Sequence, residues 1–194
     1  MTAIVGFTDG NTVSIGGDSA GVAGLDLTVR SDSKVFKNGE FIFGFTTSFR
    51  MGQLIRYRFK PPAIRENQDL MEYMTTDFVD DLRACLKNGG FAEKDKEQER
   101  GGTFLVGLRG RLFQIASDYQ VGESLDGYDA CGCGESFLLG AMFATKNSNM
   151  STEARLLLAL AAAERHSAGV RAPFVVDSIT IAPTPSSASD ARPA

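Results

Sequence analysis

The feature that most constrains the fold of this chain is a pair of apolar runs near its N-terminus, joined by the dipeptide Asp9-Gly10. An Asp-Gly between two such runs is a strong signal for an antiparallel β-hairpin. If the dipeptide forms a two-residue turn, Thr2 lies opposite Gly17 and one step from Asp18. The hairpin is therefore predicted to bring a carboxylate to the beginning of the chain.

A second turn signal, Asn38-Gly39, follows the segment that contains Lys34. The same reasoning places Lys34 opposite Phe43 and next to Gly44 of the partner strand. A lysine in a strand that faces the interior needs a partner of opposite charge, because burying an unpaired charge is unfavourable. Asp18 is the natural partner, so we expect the two hairpins to bring this lysine and this carboxylate together.

Thr2 becomes the N-terminal residue if Met1 is removed, which a small second residue permits. A free N-terminal threonine carries a hydroxyl nucleophile and an α-amino group, whose pKa of about 8 is close enough to neutrality to accept the hydroxyl proton. A lysine ammonium nearby would lower the pKa of that amine and help to keep it neutral. Thr2, Asp18 and Lys34 are thus candidate catalytic residues, on condition that the bond between Met1 and Thr2 is cleaved.

The pattern TAIVGFTDGNTVSIGGDSAGV, followed by RSDSKVF, resembles the start of proteasome β-type subunits and of the bacterial proteasome-like protease HslV. These proteins are N-terminal nucleophile hydrolases. The resemblance is clear over residues 2–48 and weaker through about residue 182. Thr2, Asp18 and Lys34 fall on the family's catalytic threonine, aspartate and lysine with the family's spacing. The resemblance implies a threonine-type endopeptidase that needs no cofactor and whose nucleophile is Thr2.

Two further elements of the family have altered counterparts here. The family carries a Gly-Ser-Gly whose serine hydrogen-bonds near the N-terminal amine, and this chain has Cys133 in place of that serine. A thiol is a weaker donor and acceptor than a hydroxyl. The family's Asp-x-x-Ser-Gly element is matched only in spacing by Glu164 and Ser167, because Ala168 precedes the glycine. The resemblance therefore adds Cys133, Glu164 and Ser167 to the candidate site.

The segment from Gly44 to Thr46 is expected to bind substrate. We expect it to offer a strand edge to which an extended peptide adds by main-chain hydrogen bonds, and an amide that stabilises the oxyanion of the reaction. Val22 is expected beside the specificity pocket. A glycine in a strand can also simply mark close packing. On the functional interpretation, Gly44→Ala slows turnover modestly, whereas Thr2→Ala abolishes it.

The resemblance also implies partners. The substrate would be a peptide or unfolded protein, the subunits would form a homo-oligomeric ring, and an AAA+ unfoldase ATPase would deliver substrate. The start at Met1-Thr2 resembles HslV more than proteasome subunits that carry a propeptide. Two alternatives remain. One is an N-terminal nucleophile hydrolase that cleaves small amides. The other is a catalytically inactive ring subunit, which is suggested by Cys133 and Glu164 because both depart from the family's residues.

Composition excludes several other classes of protein. A formal net charge of -4 argues against a nucleic-acid-binding protein. No apolar stretch approaches the ~20 residues of a membrane span, and no signal peptide is evident, so we expect a cytoplasmic protein. The three cysteines suit a reducing compartment. With a single histidine and no second cysteine pair beside Cys131 and Cys133, no metal site is expected.

The order of predicted elements supports an α+β fold, a four-layer α-β-β-α sandwich, which is also the fold that the family implies. Residues 1–182 are predicted to form a single domain, and residues 183–194, rich in proline and serine, a disordered tail. Helical periodicity extends from Gln68 to Lys87. The helix expected from Ala154 to Arg165 is apolar around almost its whole circumference, which predicts burial against a helix layer or a neighbouring subunit.

Overall fold

Two antiparallel β-sheets organise the fold. In the computed structural model of the chain, which describes residues 1–91, 93–95 and 98–181, the strands are β1 (Ala3–Thr8), β2 (Thr12–Gly17), β3 (Ala20–Ala23), β4 (Asp26–Val29), β5 (Val35–Asn38), β6 (Phe41–Phe45), β7 (Glu93–Asp95), β8 (Gln98–Arg100), β9 (Phe104–Leu108), β10 (Arg111–Ile115), β11 (Val121–Glu123), β12 (Tyr128–Gly132) and β13 (Val175–Thr180). One sheet has the order β12-β1-β2-β13 and the other β11-β10-β9-β6-β5, while β3-β4 and β7-β8 form separate pairs.

The helices are α1 (Phe49–Tyr57), α2 (Leu70–Tyr73), α3 (Val79–Asn88), α4 (Glu135–Ala144) and α5 (Thr152–His166). A π-helical segment, Met74–Phe78, connects α2 to α3, so the helix predicted from residue 68 to 87 is present but not regular throughout. The expected mixture of α-helices and antiparallel sheets is confirmed. The tail predicted for residues 183–194 lies outside the described residues.

The first hairpin forms where the sequence predicts it, but its predicted register is wrong by two residues. Ile4, rather than Thr2, faces Gly17. The turn is longer than two residues because the Asp9 carboxylate accepts hydrogen bonds from the backbone N–H groups of Asn11, at 2.9 Å, and of Thr12, at 2.7 Å. A shift of two residues leaves every side chain on its predicted face of the sheet.

The second hairpin shows a shift of the same size. Phe36, and not Lys34, faces Phe43. Gly39 adopts a φ of 61° and begins the turn, a conformation that glycine reaches without steric cost. Asn38 remains in β5 and donates its side-chain amide, at 3.0 Å in each case, to two carbonyl groups around the C-terminal end of α1.

Three clusters of buried side chains hold these elements together. Alternate residues of β6 divide between two of them, because successive strand residues point to opposite faces. Phe41 and Phe43 pack with residues of α1, α3 and the π-helical segment, and Ile42 packs with Ile15 of β2 and Leu105 of β9. The third cluster joins β1 and β12 to α4 and α5. None of the helices in the described part of the chain combines the length and the apolar character that a membrane crossing requires.

Helix α5 is present where the sequence predicts it, but the chain alone covers only part of its surface. Ser151 caps its N-terminus, where the Ser151 hydroxyl accepts a hydrogen bond from the Ala154 N–H at 3.2 Å. One face, which includes Leu156 and Leu160, is buried against β1 and α4, as predicted for an apolar helix. Leu158, in contrast, is 45% exposed. The chain alone therefore does not bury this helix on all sides.

Candidate active site

A buried ion pair forms the centre of the site. Lys34 Nζ lies 2.7 Å from Asp18 Oδ1, and the two residues are only 1% and 2% exposed. The pairing of this lysine with this aspartate was expected from sequence and is confirmed. Burial lowers the pKa of Lys34 below its usual value, and the nearby carboxylate of Asp18 partly opposes that shift.

Asp18 also connects three separate parts of the chain. Its Oδ1 accepts the N–H of Ala3 at 3.0 Å, and its Oδ2 accepts the N–H groups of Ala20 at 2.9 Å and Arg171 at 3.2 Å. These contacts fix the carboxylate relative to β1, to β3 and to the segment that follows α5. Because Lys34 is buried and bonded to this carboxylate, its ammonium lies close to the first residue of β1.

Thr2 is almost completely buried, immediately before β1. With Met1 attached, the Thr2 nitrogen is an amide, and it donates to Cys133 Sγ at 3.3 Å. The thiol of Cys133 lies 3.4 Å from the Thr2 carbonyl oxygen, and the Thr2 hydroxyl donates to the Met1 carbonyl oxygen at 2.6 Å. The sulfur of Cys133 therefore contacts the atom that would become the catalytic amine.

The two glycines around Cys133 explain how it comes so close to Thr2. Gly132 has a φ of 102°, and a Cβ there would collide with the Thr2 carbonyl oxygen. A Cβ at Gly134 would lie 2.9 Å from the Cβ of Ala3 and 3.0 Å from that of Ala163. The Gly-Cys-Gly sequence thus allows β12 and the start of α4 to approach the N-terminus.

Glu164 and Ser167 lie at different distances from the centre. The hydroxyl of Ser167 is 3.4 Å from Cys133 Sγ, so it belongs to the group of polar atoms around Thr2. Glu164 instead accepts the N–H of Ala172 at 2.9 Å. It supports the segment whose Arg171 N–H binds Asp18, and thus lies one contact further away.

A cavity of about 310 Å³ opens beside Thr2. Val22 and Thr46, both predicted to bind substrate, line it, together with Met1, Thr2, Gly21, Ala23, Thr28, Arg30, Phe45, Thr47, Ser48 and Phe49. The β3 side of the cavity faces the segment that leads into α1. Thr2 lines the cavity together with residues of both walls.

The segment from Gly44 to Thr46 was expected to offer a strand edge to substrate, and at Gly44 this expectation is wrong. Strand β6 pairs with β5 on one side and β9 on the other, so that Gly44 faces both Val35 and Leu105. A Cβ at this position would lie 2.6 Å from the Cγ2 atoms of Ile4 and Ile15. Close packing between the two sheets, rather than substrate, explains this glycine.

Two features of the cavity were not predicted from sequence. Thr47 has a φ of 64°, and its N–H has no hydrogen-bond acceptor among the described residues. Arg30 projects its guanidinium over the ring of Phe49, 3.9 Å from the ring centroid, and pairs with Asp32. Threonine rarely adopts left-handed backbone geometry, so the sequence gives no sign of this conformation at Thr47. The contact of Arg30 with Phe49 depends on where the end of β4 meets α1, which the sequence does not reveal.

The described side chains of histidine, cysteine, aspartate and glutamate include no group of three or more that could hold a metal ion. Around Thr2 the site brings together the hydroxyls of Thr2 and Ser167, the thiol of Cys133, and the Lys34 ammonium with its carboxylate partner. These groups suit attack on a carbonyl carbon, with proton transfer over short distances.

Comparison with models of known protein families finds no match, and comparison with curated proteins finds none either. Solved structures, however, share the fold. BPH from Thiobacillus denitrificans matches with a TM-score of 0.78 at 20% identity, over 95% of this chain and 100% of that one. Its complex with epoxomicin matches with a TM-score of 0.78 at 18% identity, over 93% and 100% of the two chains.

HslV from Trypanosoma brucei matches with a TM-score of 0.65 at 16% identity, over 92% of this chain and 99% of that one. Anbu from Yersinia bercovieri, described as an ancestral β-subunit, matches with a TM-score of 0.64 at 15% identity, over 92% of this chain and 81% of that one. The resemblance to HslV inferred from the N-terminal motif is confirmed as a likeness of fold.

Proposed function

We propose that this chain is a threonine-type endopeptidase subunit whose nucleophile is Thr2 after removal of Met1. The observation that carries the proposal is the buried pair of Lys34 and Asp18, which is bonded through the Ala3 N–H to the strand that begins beside Thr2. A buried ion pair is weak evidence for stability alone. Its attachment to a would-be N-terminal threonine, in a chain with an HslV-like fold, favours a catalytic role.

In this mechanism the free amine of Thr2 takes the proton of its own hydroxyl, directly or through a water molecule, while Oγ attacks the carbonyl carbon of the substrate. Lys34 lowers the pKa of the amine and keeps it neutral. The proton then passes to the leaving amine as the peptide bond breaks, and an acyl ester remains on Thr2. Water attacks the ester, gives one proton to the amine, and releases the acid as the Thr2 hydroxyl reforms.

The N–H of Thr47 is the best candidate for the group that stabilises the oxyanion. It lines the same cavity as Thr2 and has no acceptor among the described residues. A preorganised donor at this position acts on charge that develops only in the transition state. Thr47 would thus take the role expected for an amide of the segment from Gly44 to Thr46. Cys133 and Ser167 would orient the amine of Thr2.

The three buried clusters support the four-layer α-β-β-α sandwich expected from sequence, with one cluster between the sheets and one between each sheet and its helices. We further propose a homo-oligomeric ring that encloses the sites, peptides or unfolded proteins as substrates, and an AAA+ unfoldase as partner. The free thiols of Cys85, Cys131 and Cys133 favour a reducing compartment such as the cytoplasm.

Epoxomicin is a suitable probe, since BPH from Thiobacillus denitrificans has been solved in complex with it. We expect intact mass spectrometry of the purified full chain to show loss of Met1, and incubation with epoxomicin to add the mass of one inhibitor to the peptide that begins with Thr2. Thr2→Ala should show no adduct and no peptide hydrolysis. Any molecules that keep Met1 serve as an internal control and should remain unlabelled.

Other outcomes distinguish the alternatives. A chain that lacks Met1 but forms no adduct and cleaves no peptide would be an inactive ring subunit. A monomer that hydrolyses small amides, but not peptides, would be an amidohydrolase of the same fold. Thr2→Ala with wild-type peptidase activity would contradict the proposed nucleophile.

A further inference from the structure

The cavity beside Thr2 has one charged side chain in its wall. Among the residues that line it, Arg30 carries the only ionic side chain. The other lining residues are uncharged: they carry threonine and serine hydroxyls or are apolar or small, namely Met1, Gly21, Val22, Ala23, Phe45 and Phe49. A side chain that enters this space therefore meets a wall that contains one guanidinium and several hydroxyl groups.

The guanidinium of Arg30 is held in place but keeps donors available. It stacks on Phe49, and it donates from Nε to Asp32 Oδ1 at 2.6 Å and from Nη2 to Asp32 Oδ2 at 2.7 Å. An arginine has five N–H donors, and the others have no acceptor among the described residues. About a third of the Arg30 side chain remains exposed. Asp32 itself does not line the cavity.

The position of the cavity determines which substrate residue enters it. Thr2 forms part of its wall, between β3 and the segment from Thr46 to Ser48. Once Thr2 Oγ attacks a carbonyl carbon, the side chain of the residue that supplies this carbonyl is the nearest one to the cavity. The wall that contains Arg30 therefore acts on the residue N-terminal to the cleaved bond.

We infer that this cavity selects substrates with an acidic side chain, glutamate or aspartate, immediately before the cleaved bond, and that Arg30 is the residue that determines this specificity. The inference rests on the proposed function. A carboxylate accepts charge-assisted hydrogen bonds from the free N–H groups of the guanidinium, and the surrounding hydroxyls donate to its remaining lone pairs. Asp32 competes for the same cation and so limits the preference.

The experiment compares fluorogenic peptides that differ only in the residue before the cleaved bond, with glutamate, glutamine or leucine at that position. For the wild-type chain we expect kcat/KM for the glutamate peptide to exceed that for the isosteric glutamine peptide by about tenfold, as for a hydrogen bond to a charged group. Arg30→Gln should reduce this ratio to about one, and Arg30→Lys should restore part of it. Asp32→Asn should increase the ratio, because the guanidinium loses its competing carboxylate.

Arg111 provides a matched control, because it also forms two hydrogen bonds to a carboxylate, that of Glu123, and lies over a phenylalanine ring, that of Phe113. It does not line the cavity, so Arg111→Gln should leave the ratio of glutamate to glutamine unchanged. A wild-type preference for leucine over glutamate would overturn the inference, as would an unchanged ratio in Arg30→Gln.

Labelling of the same samples with epoxomicin separates this inference from the proposed function. Adduct formation at Thr2 together with a preference for leucine overturns only the specificity. Absence of both adduct and cleavage in a chain that lacks Met1 overturns the proposed function and, with it, the specificity.

Discussion

Cys133 stands where the family that the sequence resembles has a serine, and this is the clearest difference between the two sites. Its sulfur lies 3.3 Å from the Thr2 nitrogen, where a hydroxyl would form a shorter and stronger hydrogen bond. We expect Cys133→Ser to raise kcat by about two- to tenfold, which corresponds to the net gain of one neutral hydrogen bond. Steady-state kinetics with a fluorogenic peptide measure this change.

The same substitution should remove sensitivity to thiol reagents. Cys133 is exposed and its sulfur contacts the Thr2 nitrogen, so alkylation with iodoacetamide would place a bulky group against the Thr2 amine and inhibit the wild-type chain. Cys85→Ser serves as the control, because burial raises the pKa of the Cys85 thiol and slows its reaction. Equal inhibition of Cys133→Ser and the wild type would contradict a role for this thiol at the site.

Asp18 and Lys34 form one ion pair but should contribute unequally to stability. Asp18→Ala leaves a buried ammonium without a carboxylate, and leaves the N–H groups of Ala3, Ala20 and Arg171 without their acceptor. We expect it to reduce the free energy of unfolding by about 3–5 kcal/mol. Lys34→Met should reduce it less, by about 1–3 kcal/mol, because the carboxylate keeps its three backbone donors.

Urea denaturation of both variants tests this asymmetry, and both should lack peptidase activity. Equal losses of stability, or a larger loss for Lys34→Met, would show that the backbone donors of Asp18 do not matter. The comparison is independent of the removal of Met1, because neither the ion pair nor its backbone contacts involves that residue.

The sequence predicted the ion pair of Lys34 and Asp18, but not the residues that shape the cavity beside Thr2. The pairing of Lys34 with Asp18 could be predicted, because a strand position that faces the interior forces a lysine to find a carboxylate. Thr47 and Arg30 could not be predicted. The first depends on a backbone conformation that threonine rarely adopts, and the second on the contact between its guanidinium and the first residue of α1.

At the level of elements, the hairpins were predictable and their turns were not. Both registers were wrong by two residues, because Asp9 accepts two backbone N–H groups and because the second turn begins at Gly39. Side chains alternate between faces with a period of two, so both errors preserved the direction of every side chain. Asp18 and Lys34 therefore still meet, although Lys34 does not face Phe43 as predicted.

The position of β6 inside its sheet changes the role assigned to Gly44 from substrate binding to close packing. A Cβ at this position would lie 2.6 Å from two Cγ2 atoms of β-branched side chains in the opposite sheet, and such side chains have little rotamer freedom. We now expect Gly44→Ala to reduce the free energy of unfolding by about 1–3 kcal/mol, rather than to slow turnover directly. Urea denaturation measures the loss.

Gly122 of β11 provides the matched control, since a Cβ there would meet no atom within 4 Å. We expect Gly122→Ala to change stability by no more than about 1 kcal/mol. The double variant Gly44→Ala with Ile15→Ala should be more stable than the sum of the two single changes predicts, because the new methyl group occupies part of the space that Ile15 leaves. Wild-type stability of Gly44→Ala would contradict the packing explanation.

At the scale of the whole molecule, α4 and α5, which cover the β12-β1-β2-β13 sheet, carry large apolar side chains on their outer surface. The chain alone leaves these side chains exposed. Phe143 of α4 is 70% exposed, and Phe137, Leu157 and Leu158 of the same helix pair are also partly exposed. The sequence predicted that α5 is buried against a helix layer or a neighbouring subunit, and the chain alone buries one face of it. A neighbouring subunit in the proposed ring would cover the other surface and remove these side chains from water.

Substitution of Phe143 tests this assignment. We expect the wild-type chain to elute as an oligomer in size-exclusion chromatography with light scattering, and Phe143→Glu to shift it towards smaller species, because a carboxylate would be buried without a partner. Phe143→Leu preserves the apolar surface and should remain assembled. Since Phe143 is exposed in the single chain, Phe143→Glu should change the free energy of unfolding of the single subunit by no more than about 0.5 kcal/mol. A wild-type monomer, or full assembly of Phe143→Glu, would show that this surface is not a subunit contact.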